Sequence, residues 1–213
     1  GDNTTINGSE FESSSAKTGE TLYLEGDYTY VIASSVNGSY AYKNGGALYS
    51  TGSNSRVVNS NFTYNLAEES GGALYWYGGS LSKYNTVDGC IFTNNTAYAN
   101  TTSADATRGG GAIYWSEDGK YGTVKNSKFY YNSVQSANDK KVDGGAILWD
   151  KSYHALVDHC DFVGNFVTTN GDDTGTDGKA VWAQGGAMYL RPKENYTISN
   201  CLFENCSSSK EAG

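Results

Sequence analysis

"GGGAIYWSEDGKYGTVKNSKFYYNS", residues 109–133, joins a glycine pair, a short apolar run, a turn and a second apolar run that closes on Phe129 and Asn132. The same order of residue types recurs along the chain. Gly-Gly-Ala followed by an aliphatic residue stands at 45–48, 71–74, 110–113, 144–147 and 185–188. The fourth position reads Leu48, Leu74, Ile113, Ile147 and Met188, and the fifth Tyr49, Tyr75, Tyr114, Leu148 and Tyr189. Self-similarity at the scale of one supersecondary unit marks a stacked, solenoid architecture.

A second motif follows each glycine pair. Aligned on its phenylalanine, it gives Phe62, Phe92, Phe129, Phe162 and Phe203, with an earlier copy at Phe11. Five residues before each Phe stands a β-branched residue (Ile6, Val57, Val87, Val124, Val157, Ile198), and two before it a small one (Ser9, Ser60, Cys90, Ser127, Cys160, Cys201). Three before stands Gly8, Asn59, Gly89, Asn126, His159 or Asn200, and three after stands Ser14, Asn65, Asn95, Asn132, Asn165 or Cys206. A step of two keeps the small residue and Phe on one strand face, whereas the step of three from the β-branched residue crosses a bend at a type that tolerates left-handed backbone. The motif therefore predicts strand, corner, strand, with aliphatic, small and Phe rows stacked inside and Asn ladders at the corners.

The interval from glycine pair to Phe is nearly constant, at 17, 21, 19, 18 and 18 residues. The return from Phe to the next pair runs 9, 18, 15 and 23, so insertions collect at one corner. We expect an all-β chain forming a single domain over 1–213, a right-handed parallel β-helix of about six rungs. Residues 15–44 are expected to fold over the first rung as a cap or insertion. The last rung is left open by the polar tail, which points to a fragment of a longer array.

Composition agrees with a thin, regular core: 38% of residues are hydrophobic and 18% charged, with 27 Gly, 18 Tyr and one Pro. The formal charge of −8 argues against nucleic acid or an anionic membrane as partner, since both require a basic stripe. No apolar stretch reaches the roughly 18 residues of a membrane span.

The "GGA[LIM]" and F-x-x-N motifs resemble the β-helix repeats of chlamydial polymorphic outer-membrane proteins. The forms "GGALYW" at 71–76 and "GGAIYW" at 110–115, each followed by N-[SC]-x-F or G-C-x-F, most resemble the adhesin-like proteins of methanogenic archaea. The resemblance covers roughly residues 1–206 and implies an archaeal, extracellular, cell-surface station, with any anchor outside this stretch, and an adhesive role. Ser14 and Cys206 depart from the Asn of the motif in the two end rungs.

In "YHALVDHCD" the polar side chains are His154, Asp158, His159 and Asp161, but Asp161 alternates with Cys160 and Phe162 and so faces solvent. No second carboxylate recurs in register with it as a sugar cleft requires, so solvated polar residues on a rung are the reading preferred over catalysis. "NGDDTGTDG", 170–178, holds Asp172, Asp173 and Asp177 but lacks the spacing and closing Glu of a calcium loop, so no metal site is assigned and calcium is left open. Cys90, Cys160 and Cys201 read as small core residues, leaving Cys160–Cys201 and Cys201–Cys206 as conceivable disulfides. Sequons stand at Asn3, Asn7, Asn37, Asn61, Asn94, Asn100, Asn195 and Asn205.

Two surfaces remain for binding. One is the insertion edge, 95–109, 133–143 and 166–184, carrying Tyr98, Arg108, Lys140, Lys141, Asp172, Asp173 and Trp182. The other is the row Tyr49, Tyr75, Tyr114 and Tyr189, opposite the aliphatic row, which reads either as an exposed aromatic stripe or as cross-rung stacking. Trp76, Trp115 and Trp149 are placed either inside or at the corner. The function expected is a non-catalytic, monomeric adhesin domain without cofactor, binding surface glycans or proteins of other microbial or host cells. The alternatives are a β-helix carbohydrate-active lyase or hydrolase, and a passive spacer stalk.

Overall fold

The computed structural model describes residues 1–16, 21–77, 82–98, 100, 108–116, 119–136, 141–169 and 182–209, and it is a parallel β-helix. Four faces wrap one core. The first sheet stacks seven strands, from Thr5–Asn7 and Tyr30–Ile32 through Arg56–Val58, Thr86–Asp88, Thr123–Lys125 and Leu156–Asp158 to Thr197–Ser199. The second runs from Glu10–Glu12 to Leu202–Glu204 and the third from Ser15–Ala16 to Ser207–Ser208, seven strands each. The fourth holds six, from Leu22–Leu24 to Met188–Glu194.

Every neighbour in these sheets is parallel, Phe62 beside Phe92 and Val87 beside Val124, and the register shifts only near Ser152 in the last pair of the fourth sheet. The predicted rows are therefore the core. Rings of Phe62, Phe92, Phe129, Phe162 and Phe203 stack with centroids 4.7–5.0 Å apart and planes within 9°. That spacing is the strand separation itself, so each ring lies flat on its neighbour without leaving its rotamer well. Trp76, Trp115 and Trp149, left open between core and corner, point inward as a second stack at 4.8 and 4.4 Å.

The corners follow the residue types read from the motif. Gly8, Asn59, Gly89, Asn126, His159 and Asn200 all adopt φ between 48° and 66°, the left-handed turn between the first and second sheets. Inside the next corner Asn65, Asn95, Asn132 and Asn165 are fully buried and form a ladder. Each side-chain carbonyl accepts from the backbone N–H of the coil before it, at 3.0 Å for Asn95 onto Asn132, and each amide donates to a carbonyl such as Phe92 O and to the next Asn, or for Asn165 to Cys206 Sγ. Buried backbone groups that the bend takes out of the sheets are thereby paired.

One expectation is corrected. Residues 15–44 contribute strands to all four sheets, with Val31 beside Ile6 and Val57 and with Val36 between Phe11 and Phe62. The stretch is thus a coil and not a cap, and it gives these sheets seven strands where about six were expected. Val36 fills the Phe position and interrupts the ring stack, which is why alignment on phenylalanine passes over this coil. Its spacing, Val31, Ser34, Val36, Ser39, is nevertheless the motif's own. The four cysteines are free thiols in the structure, with Cys90 and Cys160 buried in the serine row.

Candidate binding surface

The insertions leave the solenoid between the third and fourth sheets. On their return they form a short fifth sheet of Arg108–Gly109, Val142–Asp143 and Ala183–Gln184, parallel and in register. Ala97, Val134 and Val167 of the third sheet meet Val142 and Ala183 in a small core separate from the main one. The result is a two-layered fin along one edge of three coils. The third-sheet row reads Ala41, Ala67 and Ala97, then Val134 and Val167 beneath the fin's valine and alanine, so the row enlarges only from the second of the three coils.

Beside the fin lies the outer face of the fourth sheet, where Tyr23, Tyr49, Tyr75, Tyr114, Leu148 and Tyr189 are aligned by register. This row is not a uniformly exposed stripe. Tyr23 is 54% exposed, Tyr49 and Tyr75 are half-buried, Tyr114 falls to 6% and Leu148 to zero. Tyr23, Tyr49 and Tyr75 stack at 5.2 and 5.0 Å with planes within 10°, so their faces cover one another.

The two surfaces meet at Tyr75. Burial pushes its phenol up to about 12, against a hydrogen bond with Ser116 and the positive charge of Arg108. Arg108, at the base of the fin, pairs with Glu69 at 3.7 Å. Further along the same face Arg191 pairs with the buried carboxylate of Asp150 at 3.1 Å. On the fin, Lys141 lies 4.1 Å over the Trp182 ring, and Trp182 and Tyr98 are 37% and 36% exposed. Tyr98, Arg108, Lys141 and Trp182 thus share one structural unit, although they come from three coils. Lys140, Asp172, Asp173 and the 170–178 loop lie outside the described residues.

The "YHALVDHCD" residues do not converge on one point. Asp158 is held ionised well below the usual carboxylate range by hydrogen bonds from Ser199, Asn200 and His159, at 2.6, 2.8 and 2.8 Å. Asp161 stands on the outer face of the second sheet, beside Lys128 and Leu202 in the register. His154 instead extends an exposed corner stack with Tyr84 and Tyr121, at 4.9 Å per step. That stack went unread in the sequence, yet an aromatic residue three before the β-branched position recurs at Tyr28, Tyr84, Tyr121 and His154.

Residues 89–114 match the Chlamydia polymorphic membrane protein repeat. The matched stretch runs from the small-residue and Phe92 rows through Asn95 and the base of the fin to Tyr114, one full pass from second sheet to fourth. No curated protein and no solved structure matches the chain.

Proposed function

We propose that this is a non-catalytic adhesive domain on the cell exterior, binding glycans or proteins of other cells along the ledge between fin and tyrosine row. The likeness of one coil to a membrane-protein repeat supports the exterior station, and the adhesin-like proteins of methanogenic archaea are the finer kinship we assign. The observation that carries the reading is the fin. Three coils expand at one corner while the rungs beneath keep their register, so chemistry varies at the edge of an invariant scaffold. A passive spacer draws on one observation, the hidden faces of the stacked tyrosines.

The test replaces 99–109, 137–143 and 170–184, the fin strands included, by short Gly/Ser linkers and compares both proteins on a glycan array and a panel of microbial and host cells. The trimmed rod should keep its far-ultraviolet β signal and lose binding. Full-strength binding would move the site to the tyrosine row, to be checked with Tyr23→Ala. No cleavage of pectin, pseudomurein or host glycans is expected. Cleavage abolished by Asp158→Ala or Asp161→Ala would establish the enzyme reading instead.

A further inference from the structure

Twenty asparagines occur in the chain, and the structure describes eighteen of them. Asn65, Asn95, Asn132 and Asn165 are buried and spend their amides on the internal ladder, and Asn85 is buried with its amide bonded to Gly52 O and Ser82. Asn126 and Asn200 donate to Asp88 and Asp158. None of these seven is followed at the second position by Ser or Thr.

The eight that are so followed are all accessible. Asn3, Asn7, Asn37, Asn61 and Asn195 are exposed, Asn94 is half-buried, and none of these six side chains makes a hydrogen bond in the structure. Asn100 and Asn205 are exposed and donate only to the Glu68 and Glu204 carboxylates. Burial and engagement of the amide are properties of the fold, whereas the triplet is a property of the sequence. Asn59, Asn126 and Asn200 are exposed without the triplet, yet no triplet asparagine is buried, and the accessibility of all eight is the observation that points to use.

We propose that these exposed asparagines are acceptor sites for N-linked oligosaccharide, and that the sugar coats the faces away from the ledge. The step is transfer from a lipid-linked oligosaccharide by a membrane oligosaccharyltransferase. The Asn side-chain nitrogen forms a bond to the anomeric carbon, the anomeric carbon–oxygen bond to the lipid phosphate breaks, and the lipid phosphate leaves with the electron pair while the amide gives up one proton. A bulky, solvated chain on that nitrogen is compatible with the coil only where the amide lies at the surface, clear of the internal ladder.

Position sharpens the proposal. Asn37, Asn61 and Asn94 follow one another on three successive coils along the second sheet and its corner, where Thr63 pairs with both Asn37 and Thr93. Asn3 and Asn195 lie at the corner between the fourth and first sheets, and Asn7 ends a first-sheet strand. No strand of the fourth or fifth sheet contains an asparagine. The tyrosine row and the returning layer of the fin are left bare, with Asn100 near the fin's base. This inference rests on the exterior station proposed above.

The chain is secreted from a eukaryotic cell line that makes lipid-linked oligosaccharide, treated with peptide N-glycosidase in heavy-oxygen water and mapped by mass spectrometry. Heavy-oxygen label is expected at Asn37 and Asn61, and Ser39→Ala and Thr63→Ala should each remove one glycan from the intact mass while leaving the acceptor asparagine in place. A folded, secreted protein with all eight sites unlabelled overturns the proposal, as does a glycan at Asn61 that survives Thr63→Ala. Cell and glycan-array binding by unglycosylated protein from a bacterial host is scored separately and bears on the adhesive reading alone.

Discussion

Phe129 shows how much one side chain is asked to hold. Its ring is fully buried between Phe92 and Phe162, 5.0 and 4.7 Å away, so truncation leaves a cavity that strands in register on both sides cannot collapse to fill. Phe129→Ala should cost about 3–5 kcal/mol in urea unfolding. Asp158 makes a different demand at the same scale. Its folded carboxyl ionises at lower pH than the ordinary value near ~3.9, so the stability it adds is present above that value and is lost as pH falls toward the folded one. Asp158→Asn should therefore unfold more easily than the parent at pH 6, with the difference shrinking between pH 4 and pH 2.

At the scale of the element, the glycine pair decides whether a coil closes. The first glycine of each pair has φ of 66–69°, and the second lies against the backbone of two other strands. A Cβ on Gly111 would stand 2.1 Å from Gly145 O and 2.5 Å from Ser133 N, neither of which is free to move. Gly111→Ala should consequently abolish cooperative folding rather than merely weaken it. Gly8 is the control, since it also has positive φ but a Cβ there meets nothing within 4 Å, and Ala33 occupies the same corner with φ 47. Gly8→Ala should cost only about 1–2 kcal/mol by thermal or urea melting.

For the whole molecule, the quasi-one-dimensional stack makes position along the axis matter as much as residue type. Phe203, on the last coil described, has the register and ring geometry of Phe129, yet it is 47% exposed. Phe203→Ala should cost no more than about 1.5 kcal/mol, well under half the effect of Phe129→Ala in the same assay. A comparable loss at both positions would show that the last coil is packed as tightly as the middle ones. The fin adds a second dimension to the stack, with its own small core of Ala97, Val134, Val142, Val167 and Ala183.

The repeat by itself determined the parallel coil, the core rows, the Asn ladder and the corner carrying the insertions. Each of these depends only on residue types recurring at fixed steps, and in a parallel, in-register stack equal steps place equal residues on top of one another. The coil at 30–44 was legible in the spacing of Val31, Ser34, Val36 and Ser39, but it carries valine where the other coils carry phenylalanine. Only the tertiary structure decided which side of the tyrosine row meets water. Stacking at strand spacing turns ring faces inward on one another, and the returning insertions bring Arg108 to Tyr75 and Lys141 to Trp182 across long intervals of chain. Those contacts form between segments whose lengths differ from coil to coil, so no fixed period in the sequence encodes them.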